Sequence, residues 1–213
     1  MRIFVALAAL LLTLTGLTAC GSDGDDTVAD PGASGGSTSD ASAVPSEAPL
    51  PAGAVRTANL ATVMDTGTPE LCLGPVAESY PPQCGGPAIT NWDWTTHGQE
   101  MFEEQDGTRW GTYSVTGSWD GTAFEVTDAV PGPLYDPAPL EPSATPTPEQ
   151  DYSAGELEGI RTEVEQLPGA QGAYVGEGQV TVEVMYDDGS LQEWADEEYG
   201  AGVVLVTALL VDA

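Results

Sequence analysis

Hydrophobic and polar positions divide this chain into five stretches of different character. Residues 3–14 are almost wholly apolar, and residues 21–53 carry Gly, Ser, Ala, Asp, Thr and Pro with no aromatic residue. From 54 to 130 the apolar positions recur at every second residue, the period of a half-buried strand. This predicts strands at 56–65, 70–74, 88–94, 109–119 and 122–127. In the last pair Tyr113, Val115 and Trp119 share one face, Phe124 and Val126 share one face of the partner, and Asp120-Gly121 supplies a positive-φ turn. Within 88–94 the same alternation sets Trp92 and Trp94 on a common face. Asp106-Gly107 marks another turn, after a polar excursion at 97–105.

Seven prolines between Pro131 and Pro148 then interrupt the pattern. They predict a semi-rigid, polyproline-like spacer over 131–151. Beyond it the period lengthens. Ser153 with Glu156 forms a capping-box pattern, Leu157, Ile160, Val164 and Leu167 follow at helical spacing, and Pro168-Gly169 ends the run. Strands are expected at 170–175 and 179–186, joined at Gly176-Glu177-Gly178. A second box, Ser190 with Glu193, opens a helix carrying Leu191, Trp194, Ala195 and Tyr199, and residues 203–211 form a strand covered on both faces.

The expected fold is therefore α+β. A small β-rich, OB-like barrel over 54–130 (a split sandwich being the alternative) precedes an α-β-β-α-β domain over 152–213. That second domain should hold a three-stranded sheet with both helices on one face. The barrel label rests on strand count and carries no function.

At the N-terminus, Met1-Arg2 and the apolar run have the proportions of a signal sequence, too short to span a bilayer. Leu17-Thr18-Ala19-Cys20 closes it. These four residues resemble the bacterial lipobox position by position. The resemblance implies cleavage after Ala19, so that 1–19 is a lipoprotein signal peptide, and acylation of Cys20, with palmitate among the chains added. Two acyl chains give stable anchoring where one is marginal. The expected address is the outer face of the cytoplasmic membrane. Residues 20–53 then form a tether whose composition cannot offset ordering entropy. Asp23-Gly24-Asp25-Asp26 lacks the further ligands and the closing Glu of a calcium loop and belongs to that tether.

Charge narrows the partners. The 213 residues include 34 acids against four arginines and no lysine, a formal charge of −30. Such a surface repels nucleic-acid phosphates and anionic headgroups, so no nucleic acid is expected. Absent lysine also removes Schiff-base chemistry and a phosphate-binding P-loop. With Cys20 assigned to lipid, Cys72 and Cys84 remain, an even pair in an exported chain, which favours one disulfide. Two free thiols, or a zinc site using both with His97, are the weaker readings, since no second His or C-x-x-C spacing supports a metal.

Catalytic patterns are weak. A Ser-His-Asp triad would need His97, the single imidazole, and no G-x-S-x-G elbow accompanies it. Among 34 acids some pair will always lie at glycosidase distance, and Glu103-Glu104 reads as a solvated turn approach. The expectation is no enzyme, no metal and no cofactor. Trp92, Trp94, Trp110 and Trp119 fall within one small segment. They are foremost core residues, with stacking on a sugar or aromatic group as the functional reading. Asp187-Asp188 reads as turn chemistry and Asp196-Glu197-Glu198 as a solvated helix face.

Three stretches carry a wider likeness: Cys72-Leu73-Gly74-Pro75 with 81–87, Trp110-Gly111-Thr112-Tyr113 through Trp119-Asp120-Gly121, and 198–204. They resemble uncharacterised actinobacterial exported proteins and cell-envelope lipoproteins. The resemblance implies an envelope location and a recurring pair of domains, and it brings no catalytic residue. The expected function is a membrane-anchored, non-enzymatic binding module for an envelope protein or wall component. The alternative is a hydrolase or transferase of wall polymers.

Overall fold

The computed structural model describes residues 43–137 and 146–213. The expected signal peptide at 1–19, Cys20 and the expected tether up to residue 42 lie outside the described residues, as do residues 138–145 of the proline-rich stretch.

The described residues are mostly β-sheet with two α-helices. Its strands are β1 (Val55–Thr57), β2 (Ala61–Asp65), β3 (Pro69–Cys72), β4 (Glu103–Gln105), β5 (Thr108–Trp119) and β6 (Phe124–Pro131), followed by helix α1 (Ala154–Val164), β7 (Ala170–Gly176), β8 (Gln179–Tyr186), helix α2 (Ser190–Tyr199) and β9 (Val204–Asp212). All the strands belong to one curled, half-barrel sheet in the order β3-β2-β5-β1-β9-β8-β7. Strands β4 and β6 pair with the other edge of β5. Among the described strands only β8 and β9 pair in parallel, the connection being α2.

The twelve-residue β5 is long enough to hold two strands along each edge. One edge takes β2 at residues 109–113 and β1 at 116–117, and the other takes β4 at 108–110 and β6 at 113–119. The alternation over 56–65 reads as one strand, but the chain makes two. Between Arg56↔Thr116 and Ala61↔Tyr113 the register slips by two residues. The Thr57 hydroxyl accepts the Val115 N–H at 3.2 Å within that slip, and Ala58 donates to Leu209 O. Period-2 patterning is blind to such a slip because an even shift keeps each side chain on its face.

Residues 88–94 do not form the expected strand. Isolated bridges at Ala88 and Ile89 are all that pair. Asn91 then stands in for a backbone: its Oδ1 accepts the Val126 N–H at 2.8 Å and its Nδ2 donates to Val126 O at 2.7 Å. With Val126 already satisfied, the chain is free to turn at 94–97, where Asp93 Oδ1 accepts the Thr96 N–H.

The C-terminal order α-β-β-α-β is as expected, and both helices cover one face of β7, β8 and β9. Leu157 and Val164 of α1 and Leu191, Trp194 and Ala195 of α2 pack on Val180, Val182, Val184 and Val204. Tyr186, two residues beyond Val184, and its β9 neighbour Leu210 join the other core, formed by Val55, Val63, Leu71, Tyr113, Val115 and Phe124. The two cores thus follow one sheet without an intervening gap. Among the described residues no helix is long and apolar enough to cross a membrane.

Helix α1 begins with the expected reciprocal box of Ser153 and Glu156. Helix α2 does not use Ser190 as its cap. Gly189 occupies that position at φ 99°, and the preceding aspartates replace the box. Asp187 accepts N–H bonds from Leu191 and Gln192, and Asp188 accepts that of Ser190. Carboxylates suit these unpaired donors better than a hydroxyl, because the helix N-terminus carries partial positive charge. Bonds from Ser190 hold the Asp188 carboxyl below its usual range. Strand β6 runs through Pro131 into a 3-10 turn at Gly132–Leu134, so the fold extends past the expected boundary at 130. On the far side of the undescribed residues, Pro146 O accepts from Gln179 Nε2 at 2.7 Å.

Cys72 and Cys84 are joined, with Cα atoms 5.9 Å apart, against Met64 and Trp110. The expected disulfide is present, which removes both thiols from any zinc site. It closes the loop that returns beside β3, where Leu71 donates to Pro87 O and Ile89 to Pro69 O. Reduction should cost about 3 kcal/mol of stability by loop-entropy arguments, read as a lowered urea midpoint with and without reductant. Gly117 lies at the irregularity in β5, and a Cβ there would meet Glu125 O at 2.1 Å. Gly117→Ala should destabilise by about 1–3 kcal/mol. Gly74→Ala, with nothing within 4 Å, should be nearly neutral in the same unfolding assay.

Candidate functional site

The four candidate tryptophans fall in three places. Trp92 and Trp94 meet edge to face at 5.4 Å, and Trp92 also contacts the Tyr113 and His97 rings at 5.0 and 5.2 Å. Trp110 is buried beside the disulfide, with the exposed Tyr80 ring edge-on at 5.4 Å. Trp119 is half-buried and borders a separate cleft with Ala48, Pro49 and Met185. No single aromatic platform unites them.

The Trp92–Trp94 cluster organises the loop over 93–102. Trp94 donates its Nε1–H to Asp65 Oδ2 at 2.9 Å, which pins the turn to the end of β2. His97 Nδ1 accepts the Asp93 N–H at 3.1 Å. His97 is therefore a turn-holding group stacked near Trp92, with no Ser-Asp partnership on its ring among the described hydrogen bonds. Asp93 is exposed, and N–H donation from Thr96 holds its carboxyl below the usual range.

Deeper in, the fully buried Tyr113 ring carries its hydroxyl to the underside of the loop. That oxygen lies 3.0 Å from Met101 O and 3.3 Å from Gly98 O. Burial pushes the Tyr113 hydroxyl up to about 12. Between those two carbonyls the chain passes through two consecutive left-handed residues, Gln99 at φ 49° and Glu100 at φ 57°. Non-glycine residues adopt that region at a cost, and they persist only where the surroundings hold them. Here Gln99 Nε2 donates to Ala129 O at 3.1 Å. Composition gives no sign of these two positions, since neither residue type favours positive φ.

The strained segment separates two open grooves. One, of about 560 Å³, has Trp94 and Phe102 along its floor and Glu100, Glu104 and Arg109 at its rim. The other, of about 450 Å³, runs past Met101, Phe102 and Trp110 to Pro133. Arg109 Nε donates to Glu104 at 2.8 Å, an exposed ion pair of small energetic weight. Glu103 and Glu104 are successive residues of β4, so they point to opposite sides of the strand. An aromatic floor with a charged rim can hold the face of a ring and orient polar substituents. It presents no nucleophile paired with a base. Among the described residues no three His, Cys, Asp or Glu side chains come together as a metal site.

Comparison with protein-family models, with curated proteins and with solved structures found no match for this chain.

Tyr113→Phe should remove about 1 kcal/mol and speed amide exchange through 98–101. The pH dependence carries a definite sign. A tyrosine held protonated by the fold contributes stability that is fully present below its ordinary value near 10 and is lost as pH rises towards 12. The urea midpoint should therefore fall between those limits, and more shallowly in Tyr113→Phe.

Proposed function

We propose that this chain is an exported lipoprotein, held by acyl chains on Cys20 at the outer face of the cytoplasmic membrane. Its folded part acts there as a non-enzymatic binding module for an envelope protein or a wall component. The observation that carries export is the Cys72–Cys84 disulfide. Such bonds persist in oxidising, extracytoplasmic compartments and are rare where thiols are kept reduced. The lipobox-like Leu17-Thr18-Ala19-Cys20 supports the anchor. Support for binding comes from the open groove floored by Trp94 and Phe102, which has room for a ligand and lacks a paired acid and base. In this reading the barrel-like curl around β5 is the OB-like module and the helix-covered strands β7 to β9 are the second.

The anchor is tested by mass spectrometry of the mature chain from membrane and medium, with an alkyne-tagged palmitate supplied to growing cells. The expected result is a membrane-bound chain beginning at an acylated Cys20, and an unlabelled chain for Cys20→Ser. An unacylated wild-type chain, cut elsewhere and free in the medium, would overturn the proposal.

A further inference from the structure

The outermost strand of any sheet leaves one row of N–H and C=O groups unpaired, and proteins commonly block that row. In this sheet the blocks are visible strand by strand. Beside β3, Leu71 donates to Pro87 O at 2.9 Å and Ile89 to Pro69 O at 2.8 Å. Along the outer side of β6, Thr90 donates to Phe124 O, both amide atoms of Asn91 engage Val126, and Gln99 reaches Ala129 O. Strand β4 has three residues, two of them glutamate.

Among the described residues strand β7 has no such cover. It stands last in the sheet with β8 as its one strand neighbour. Its seven residues include no proline and no charge. Gln171 occupies the carbonyls of Gly169 and Ala170, and from Gly172 onward no outward backbone group is bonded by another described residue. Glu177-Gly178 is a two-residue, positive-φ turn with Gly176 opposite Gln179. Pairs flanking such a turn are hydrogen-bonded, and the bonding alternates along the strand. Tyr174 therefore faces β8 with its backbone, and Ala173 and Val175 turn theirs outward. The Tyr174 and Val175 side chains are 54% and 37% exposed on the two sides of this edge.

Charge selects the occupant. A second copy would bring another −30 to the seam and meet like charge. Arg161, on the helix α1 that packs against β7, is already engaged by Glu158 and Glu165. A segment rich in Lys or Arg gains attraction where a copy of this chain meets repulsion. We infer that the outer edge of β7 takes up an extended, basic peptide segment of a partner protein as an added strand. Main-chain bonds to Ala173 and Val175 supply the pairing, and alternate side chains of the guest lie beside Tyr174 on one face and Val175 on the other. The inference rests on the reading of this chain as an interaction module and gives that module a class of partner.

The test uses the full-length chain in detergent and three heptapeptides: alternating lysine and valine, alternating glutamate and valine, and a fully N-methylated form of the first. The lysine peptide should bind, weaken as salt is raised, and slow amide exchange at Ala173 and Val175 by roughly tenfold or more. The glutamate and N-methylated peptides should do neither. Ala173→Pro removes an outward donor without touching the β8 ladder and should abolish the protection. Should that variant alter the circular dichroism, the N-methylated peptide on the wild-type chain gives the same reading. Equal binding of the glutamate peptide, protection confined to other amides, or a dimer in sedimentation that already protects Ala173 and Val175 would each overturn the inference. Cys20→Ser should bind the lysine peptide unchanged, so failure of the edge and failure of the anchor are read separately.

Discussion

Three residues, Val55–Thr57, hydrogen-bond on both sides, to β5 on one edge and β9 on the other. Val55 is fully buried and Thr57 nearly so. Through this short strand the two folded stretches, separated by more than a dozen residues of proline-rich chain, become parts of one sheet. Neither neighbour could supply the link alone. Strand β5 is engaged along its other positions, and β9 is a parallel partner of β8 that would otherwise end as an exposed apolar edge. An unpaired edge of that kind invites association with other chains. On the β9 side, Asp212, which pairs with Val55, also accepts the Tyr186 hydroxyl of β8 at 2.9 Å.

The loop over 93–102 is a second consequence of how β5 is used. Its face carries Tyr113 inward, and a hydroxyl brought into the core must find acceptors. The carbonyls of Gly98 and Met101 are those acceptors. Holding both within reach of one oxygen bends the intervening residues through the left-handed region. The grooves on either side follow from that bend. They are open and rimmed by acids, in keeping with a chain whose surface charge is almost entirely of one sign.

Several polar side chains do the work of backbone here. Asn91 pairs with Val126 as a strand residue would, Thr57 substitutes for a carbonyl at Val115, and Asp187 and Asp188 satisfy the first donors of α2. Each replacement occurs where regular pairing stops. Of these only Asn91 covers an outer edge, that of β6, whereas β3 is met by the backbone of Pro87 and Ile89.

Local order was legible in the amino-acid sequence at most places where pairing partners are near, β4 being the exception: 97–105 read as a polar excursion, yet Glu103–Gln105 pairs with β5 across Asp106-Gly107. The β5–β6 and β7–β8 hairpins, whose paired residues lie at most 18 apart, the capping box of α1 and the α-β-β-α-β order were set by side-chain period and turn chemistry. The lone cysteine pair beyond Cys20 likewise pointed to a disulfide. Tertiary structure alone decided the rest. That Val55–Thr57 joins β9, that 88–94 turns instead of pairing, and that four tryptophans occupy three separate places depend on partners far along the chain. Period-2 alternation states which face of a strand is buried. It does not say which strand lies alongside, because backbone hydrogen bonds are the same for every residue and only the packed whole selects among them.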